Sequence, residues 1–82
     1  MKAKILSEVI EAVQRAEDKH PRFAAHLFHA VSLAAEELGE MTKAVNNGNM
    51  EQAKAEALDT IAVLVRMVEM IEEQGYGTPS TH

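Results

Sequence analysis

The sequence contains no cysteine and no tryptophan, and its only aromatic residues are Phe23, Phe28 and Tyr76. Without cysteine, neither disulfides nor thiolate zinc sites are available. A chain of 82 residues forms one small domain and buries only about 60% of its unfolded surface. We therefore expect stability to come from tight packing of helices or from self-association.

Positive charge is also scarce. The chain has eight Lys and Arg against thirteen Asp and Glu, a formal net charge of −5. A nucleic-acid-binding surface requires a basic patch. We therefore expect no nucleic-acid partner.

Long apolar runs are missing as well. The N-terminus, "MKAKILSEVIEAV", begins like a signal peptide, but Glu8 and Glu11 interrupt it. No stretch is apolar for long enough to span a bilayer. We expect a soluble, cytoplasmic protein with no membrane partner.

The first apolar pattern predicts a helix. Strand-like alternation is absent, whereas Leu6, Val9 and Val13 recur at spacings of three and four residues. This spacing is typical of an amphipathic helix, which we place at residues 2–19. Pro21 ends it, because the residue before a proline avoids the helical region.

Two further helices follow. Proline suits a first helical turn, so the second helix is predicted at residues 22–45. The sequence "NNGN" then predicts a tight turn, and the third helix is predicted at Met50–Gln74. We expect an all-α domain in residues 1–74, with a central antiparallel helical hairpin, and a flexible tail in residues 75–82.

Four acidic side chains become neighbours if this hairpin forms. Glu40 and Glu56 lie eight residues before and after Gly48, and Glu37 and Asp59 lie eleven before and after it. Within each helix the i,i+3 spacing places both carboxylates on one face. The sequence therefore predicts a square of four carboxylates between the two helices.

This square has few cations near it in the sequence. Glu36 adds a fifth acid beside it, while only Lys43 and Arg66 lie within two turns. Burying unpaired carboxylates is costly, and an all-oxygen site suits Mg²⁺, with Mn²⁺ as the alternative. The competing interpretation is that these acids form a solvated helix face. Their register across the turn and their apolar neighbours favour the metal site.

The acidic motif resembles that of a known family. "EELGE" at residues 36–40 and "EALD" at residues 56–59 match the EExxE and ExxD motifs of the MazG-like, all-α nucleoside triphosphate pyrophosphohydrolases, which are related to the dimeric dUTPases. The resemblance covers residues 23–70, and motif, turn and apolar context agree.

The resemblance implies an activity and a ligand set. Such enzymes cleave a nucleoside triphosphate to the monophosphate and pyrophosphate with Mg²⁺, typically as nucleotide-pool house-cleaning enzymes. Residue by residue, Glu37, Glu40, Glu56 and Asp59 would be metal ligands. Glu36 would be a ligand or would orient the attacking water. All five are therefore candidate catalytic residues.

Three further residues are candidates for substrate binding. Lys43 and Arg66 are candidates to hold phosphates, and His26 is a candidate to contact the base. Lys43 and His26 also have simpler interpretations. A salt bridge to Glu40 would explain Lys43, and a surface or interface position would explain His26.

The third helix predicts a homo-oligomer, a dimer or a tetramer. It is apolar over most of its circumference, and only a strip with Arg66, Glu69 and Glu73 is polar. Two helices of the same chain cannot cover such a surface, so an oligomeric helical bundle is expected.

The alternative to an enzyme is a non-catalytic oligomeric interaction module with a structural cation site.

Overall fold

The protein is all-helical in the part that the computed structural model describes, residues 1–74, which contain three helices and no strand. Helix α1 spans Ala3–Lys19, α2 spans Leu27–Asn46 and α3 spans Met50–Gln74. The predicted all-α fold with three helices is therefore confirmed. The predicted tail at residues 75–82 lies outside the described residues.

The second helix begins at Leu27, five residues after the start that Pro21 predicted. His26 is extended and caps α2, because its Nδ1 accepts a hydrogen bond from the His29 N–H at 3.2 Å. His29 Nδ1 in turn accepts from the Ala25 N–H at 3.2 Å. The first of these bonds satisfies a backbone donor that the helix start leaves open. Residues 20–26, between α1 and α2, form an irregular linker.

The turn between α2 and α3 has the predicted chemistry. Gly48 adopts a left-handed φ of 71°, and its N–H donates to the Val45 carbonyl at 3.0 Å. The Asn49 N–H donates to the Ala44 carbonyl at 2.9 Å, which closes the end of α2. Asn49 Oδ1 also accepts from the Gln52 N–H at 3.0 Å and so caps α3.

Helix α3 is the element that the two other helices share, since it packs against both α1 and α2. The side chains at these contacts are small: the buried apolar residues are Ala12, Ala30, Ala44, Ala53 and Ala62. Alanine allows close approach of helix backbones but buries little apolar area per residue. The helices of the single chain are therefore in close contact, but the core between them buries little apolar surface.

Large apolar side chains lie on the outside of this chain. Val31, Leu38 and Val45 recur every seven residues along α2, and all are about half exposed. The α3 residues Ile61, Leu64 and Val68 are exposed as well. Within residues 1–74 none of the helices combines the length and the apolar content that a bilayer span requires.

Candidate metal centre

Three of the predicted carboxylates meet between α2 and α3. Glu37 comes from α2, and Glu56 and Asp59 come from successive turns of α3. One oxygen from each lies within 4.8 Å of the others, and all three residues are half-buried. We call these three residues the carboxylate cluster. In residues 1–74 they are the one group of this kind with metal-ligand spacing.

The environment of the cluster disfavours the ionised form of Glu37. Desolvation, followed by a hydrogen bond with Glu56 and repulsion from Asp59, raises the pKa of Glu37 to about 7. Desolvation and like charge both disfavour the ionised form. The Glu56 carboxylate also accepts a hydrogen bond from the Gln52 amide, one turn earlier on α3. Among the described residues, no Lys or Arg forms a salt bridge with any of the three carboxylates.

The structure does not bring Glu40 into the cluster. Its carboxylate is exposed and forms a 3.4 Å salt bridge with Lys43 Nζ, one turn along α2. Residues three apart on an α-helix differ by about 60° in direction, and on α2 it is Glu37 that lies with Glu56 and Asp59 while Glu40 pairs with Lys43. Glu36 is exposed and lines a groove.

This groove is formed by all three helices and has a volume of about 660 Å³. The lining that α2 and α3 contribute includes Glu37 and Asp59 of the cluster, Glu36 and Arg66. The lining that α1 and the linker contribute carries positive charge and comprises Arg15 and Lys19 of α1 and Arg22 of the linker. We call these three residues the cationic wall.

The cationic wall was missed from the sequence, where only Lys43 and Arg66 had been considered as cations near the acids. A signal was nevertheless present. Three of the eight Lys and Arg fall within residues 15–22, and Arg15 and Lys19 share one helix face at i,i+4 spacing. What the sequence could not supply was the packing of α1 on α3, which brings this segment and the acids to the same groove.

The candidate substrate-binding residues already have local partners. His26 caps α2, and Lys43 pairs with Glu40. Arg66 was expected on a polar strip but is only 9% exposed and is the one buried charged residue in the described part of the chain. Its guanidinium donates to the Ala16 carbonyl at 3.1 Å and to the His20 carbonyl at 2.8 Å.

The donor set of the cluster fits a hard divalent cation. It consists of carboxylate oxygens alone, with no sulfur or imidazole among the grouped atoms. Mg²⁺ and Mn²⁺ prefer such ligands, and Mg²⁺ usually retains several waters, so a few carboxylates are sufficient to hold it. A divalent cation bound there would favour the ionised form of Glu37, whose pKa desolvation and the neighbouring acids raise.

Comparisons with protein-family models, with curated proteins and with solved structures found no match to this chain.

Proposed function

We propose that this protein is a Mg²⁺-dependent nucleoside triphosphate pyrophosphohydrolase, which cleaves a nucleoside or deoxynucleoside triphosphate to the monophosphate and pyrophosphate. The observation that carries the proposal is the groove itself. Its lining combines members of the carboxylate cluster, in which the pKa of Glu37 is raised, with the three residues of the cationic wall. A magnesium–polyphosphate ligand has the complementary arrangement of charge, with a divalent cation attached to an anionic chain.

The chain's own residues suit the reaction. Glu37, Glu56 and Asp59 would hold Mg²⁺, which when bound supplies charge neutralisation and polarises both the phosphate and a water. The cationic wall would bind the phosphates that lie beyond the cluster. Glu36, which is exposed and lines the groove, would orient a water towards the α-phosphorus. The water oxygen would bond to the α-phosphorus as the bond to the oxygen that bridges the α- and β-phosphates breaks, so that pyrophosphate leaves and the water gives up a proton to the solvent.

The resemblance of "EELGE" and "EALD" to the MazG-like motifs supports the same reaction class. Three of the residues that the resemblance assigns as ligands form the carboxylate cluster. Glu40, the fourth, would have to leave Lys43 in order to join them. A house-cleaning role on the cytoplasmic nucleotide pool is part of this proposal.

We further propose that α2 and α3 form an antiparallel hairpin at the centre of a homo-oligomeric bundle, a dimer or a tetramer. The three-residue connection and the contact between these helices support the hairpin. The exposed apolar residues along both helices support the oligomer. A second copy would also cover the open groove.

The same exposed apolar residues favour a second candidate function. An oligomeric interaction module would need these surfaces, and it would use the carboxylate cluster only to hold a structural cation. The two candidates differ in turnover, because only the enzyme converts a nucleotide.

The test uses purified protein, Mg²⁺ and a panel of canonical and modified nucleoside triphosphates, with pyrophosphate release as the readout. Asp59→Asn should lower kcat at least about 100-fold, because it removes a metal ligand. Glu72→Gln, an exposed acid on the same helix, is the matched control and should retain the wild-type rate. Equal rates for Asp59→Asn and wild type would remove the assigned site.

A further inference from the structure

Arg66 is the buried charged residue within residues 1–74, and its contacts connect α3 to the end of α1. Its two terminal nitrogens donate to two different carbonyls, those of Ala16 and His20. His20 is the C-cap of α1, where carbonyl groups lack helical partners. A positive charge is also favourable at a helix C-terminus.

The same guanidinium holds the linker. Its central carbon lies 4.9 Å from the centre of the Phe23 ring, in a cation–π contact. Arg66 therefore fixes the chain at three points, and these points alternate with the residues of the cationic wall. Ala16 lies between Arg15 and Lys19, and Phe23 follows Arg22.

Arg66 also lies on the helix that carries the acids. It follows Asp59 by seven residues, which is two turns on nearly the same side of α3. Both residues line the groove. One face of α3 thus carries a member of the carboxylate cluster and the side chain that contacts the segment bearing the cationic wall.

We propose that Arg66 is a positioning residue, which bridges α3 to the end of α1 and to the linker and so fixes the distance between the cationic wall and the carboxylate cluster. The inference rests on the proposed function for its substrate, but the bridge itself is made of the contacts above. Lysine is not an adequate substitute, because a single ammonium cannot match a planar group that donates to two carbonyls and stacks on a ring.

A second contact between α1 and α3 provides the control. Lys54 Nζ forms a 2.9 Å salt bridge with Glu8, and neither residue lines the groove. Lys54→Met should therefore weaken the attachment of α1 without displacing the cationic wall.

The experiment compares Arg66→Lys with Lys54→Met by thermal unfolding, by Mn²⁺ binding and by steady-state kinetics. Both variants should lose thermal stability and retain Mn²⁺ affinity. Arg66→Lys alone should raise KM for the nucleotide about tenfold, with a smaller change in kcat. In the Arg15→Gln, Lys19→Gln double variant, adding Arg66→Lys should raise KM little further, because the cationic wall through which Arg66 acts has lost two of its three charges.

Equal KM values in the two variants would overturn the inference, and so would full additivity with the wall substitutions. If Arg66→Lys does not fold, Phe23→Leu removes the stacking and retains the hydrogen bonds, and it should raise KM in the same direction. An unchanged KM in a folded Phe23→Leu variant would then overturn the inference.

Affinity for inorganic tripolyphosphate with Mg²⁺ separates this inference from the proposed function. A protein that hydrolyses no nucleotide, but binds tripolyphosphate in a manner weakened by Arg66→Lys, would refute the enzyme and retain the positioning role. A wild-type protein that binds no tripolyphosphate would overturn the positioning role.

Discussion

Glu37 is the residue whose environment most directly reports the state of the site. Its pKa is raised to about 7 by desolvation and by its acidic neighbours. The unfolded chain has no such environment, so there the carboxyl has its ordinary pKa, 4.5. Between these two values the folded protein holds a proton that the unfolded chain has released, and the stability of the metal-free protein must fall as the pH rises.

We therefore predict that metal-free wild-type protein loses thermal stability between about pH 5 and pH 7.5, and that saturating Mg²⁺ removes this loss. Glu37→Gln should be flatter over the same range. Glu40→Gln, outside the cluster, should retain the wild-type slope. Unfolding temperatures of the three proteins across this range test the prediction. A wild-type slope no steeper than that of Glu37→Gln would contradict it.

Among the elements, the helices and the turn were the part most fully predictable from sequence. The first and third helices have their predicted bounds to within a residue, because apolar periodicity, Pro21 and "NNGN" all act locally. The start of α2 was not predictable in this way. It depends on two histidine side chains, since His26 accepts from the His29 N–H and His29 accepts from the Ala25 N–H, and imidazole is an uncommon cap.

The two glycines in residues 1–74, Gly48 in the turn and Gly39 within α2, should respond to alanine substitution with opposite changes in stability. Gly48→Ala should destabilise the protein by about 1 kcal/mol, because the left-handed φ of 71° places a Cβ against the following carbonyl oxygen. Gly39→Ala should stabilise it by about 0.5–1 kcal/mol, because Gly39 is helical and an added Cβ meets nothing within 4 Å. Chemical denaturation of both variants gives the two signs. Shifts of the same sign would contradict the assigned turn.

At the scale of the whole molecule, the sequence predicted which acids lie together better than it predicted which cations share their groove. The spacing around Gly48 predicted that Glu37, Glu56 and Asp59 lie together. It could not predict that Glu37 joins this cluster and Glu40 does not, because that difference depends on how α2 is rotated against α3. The position of the cationic wall depends on how α1 packs against α3, and no local sequence pattern specifies that packing.

The exposed apolar residues also act at this scale. We predict a mass of at least twice that of one chain by light scattering at micromolar concentration, because a soluble monomer seldom leaves so many large apolar side chains in water. Leu64→Glu should shift the protein towards monomer, since Leu64 is 45% exposed in the single chain. Glu69→Gln on the same helix is the control. A well-folded wild-type monomer would contradict the oligomer and leave the groove open.

The position of bond cleavage tests the central claim most directly. Phosphorus NMR of a nucleoside triphosphate incubated with the protein should show the monophosphate and pyrophosphate appearing together with Mg²⁺, and no conversion once a chelator removes the metal. Formation of the diphosphate and orthophosphate instead, or no conversion of any nucleotide in the panel, would contradict the assignment of this groove as a pyrophosphohydrolase site.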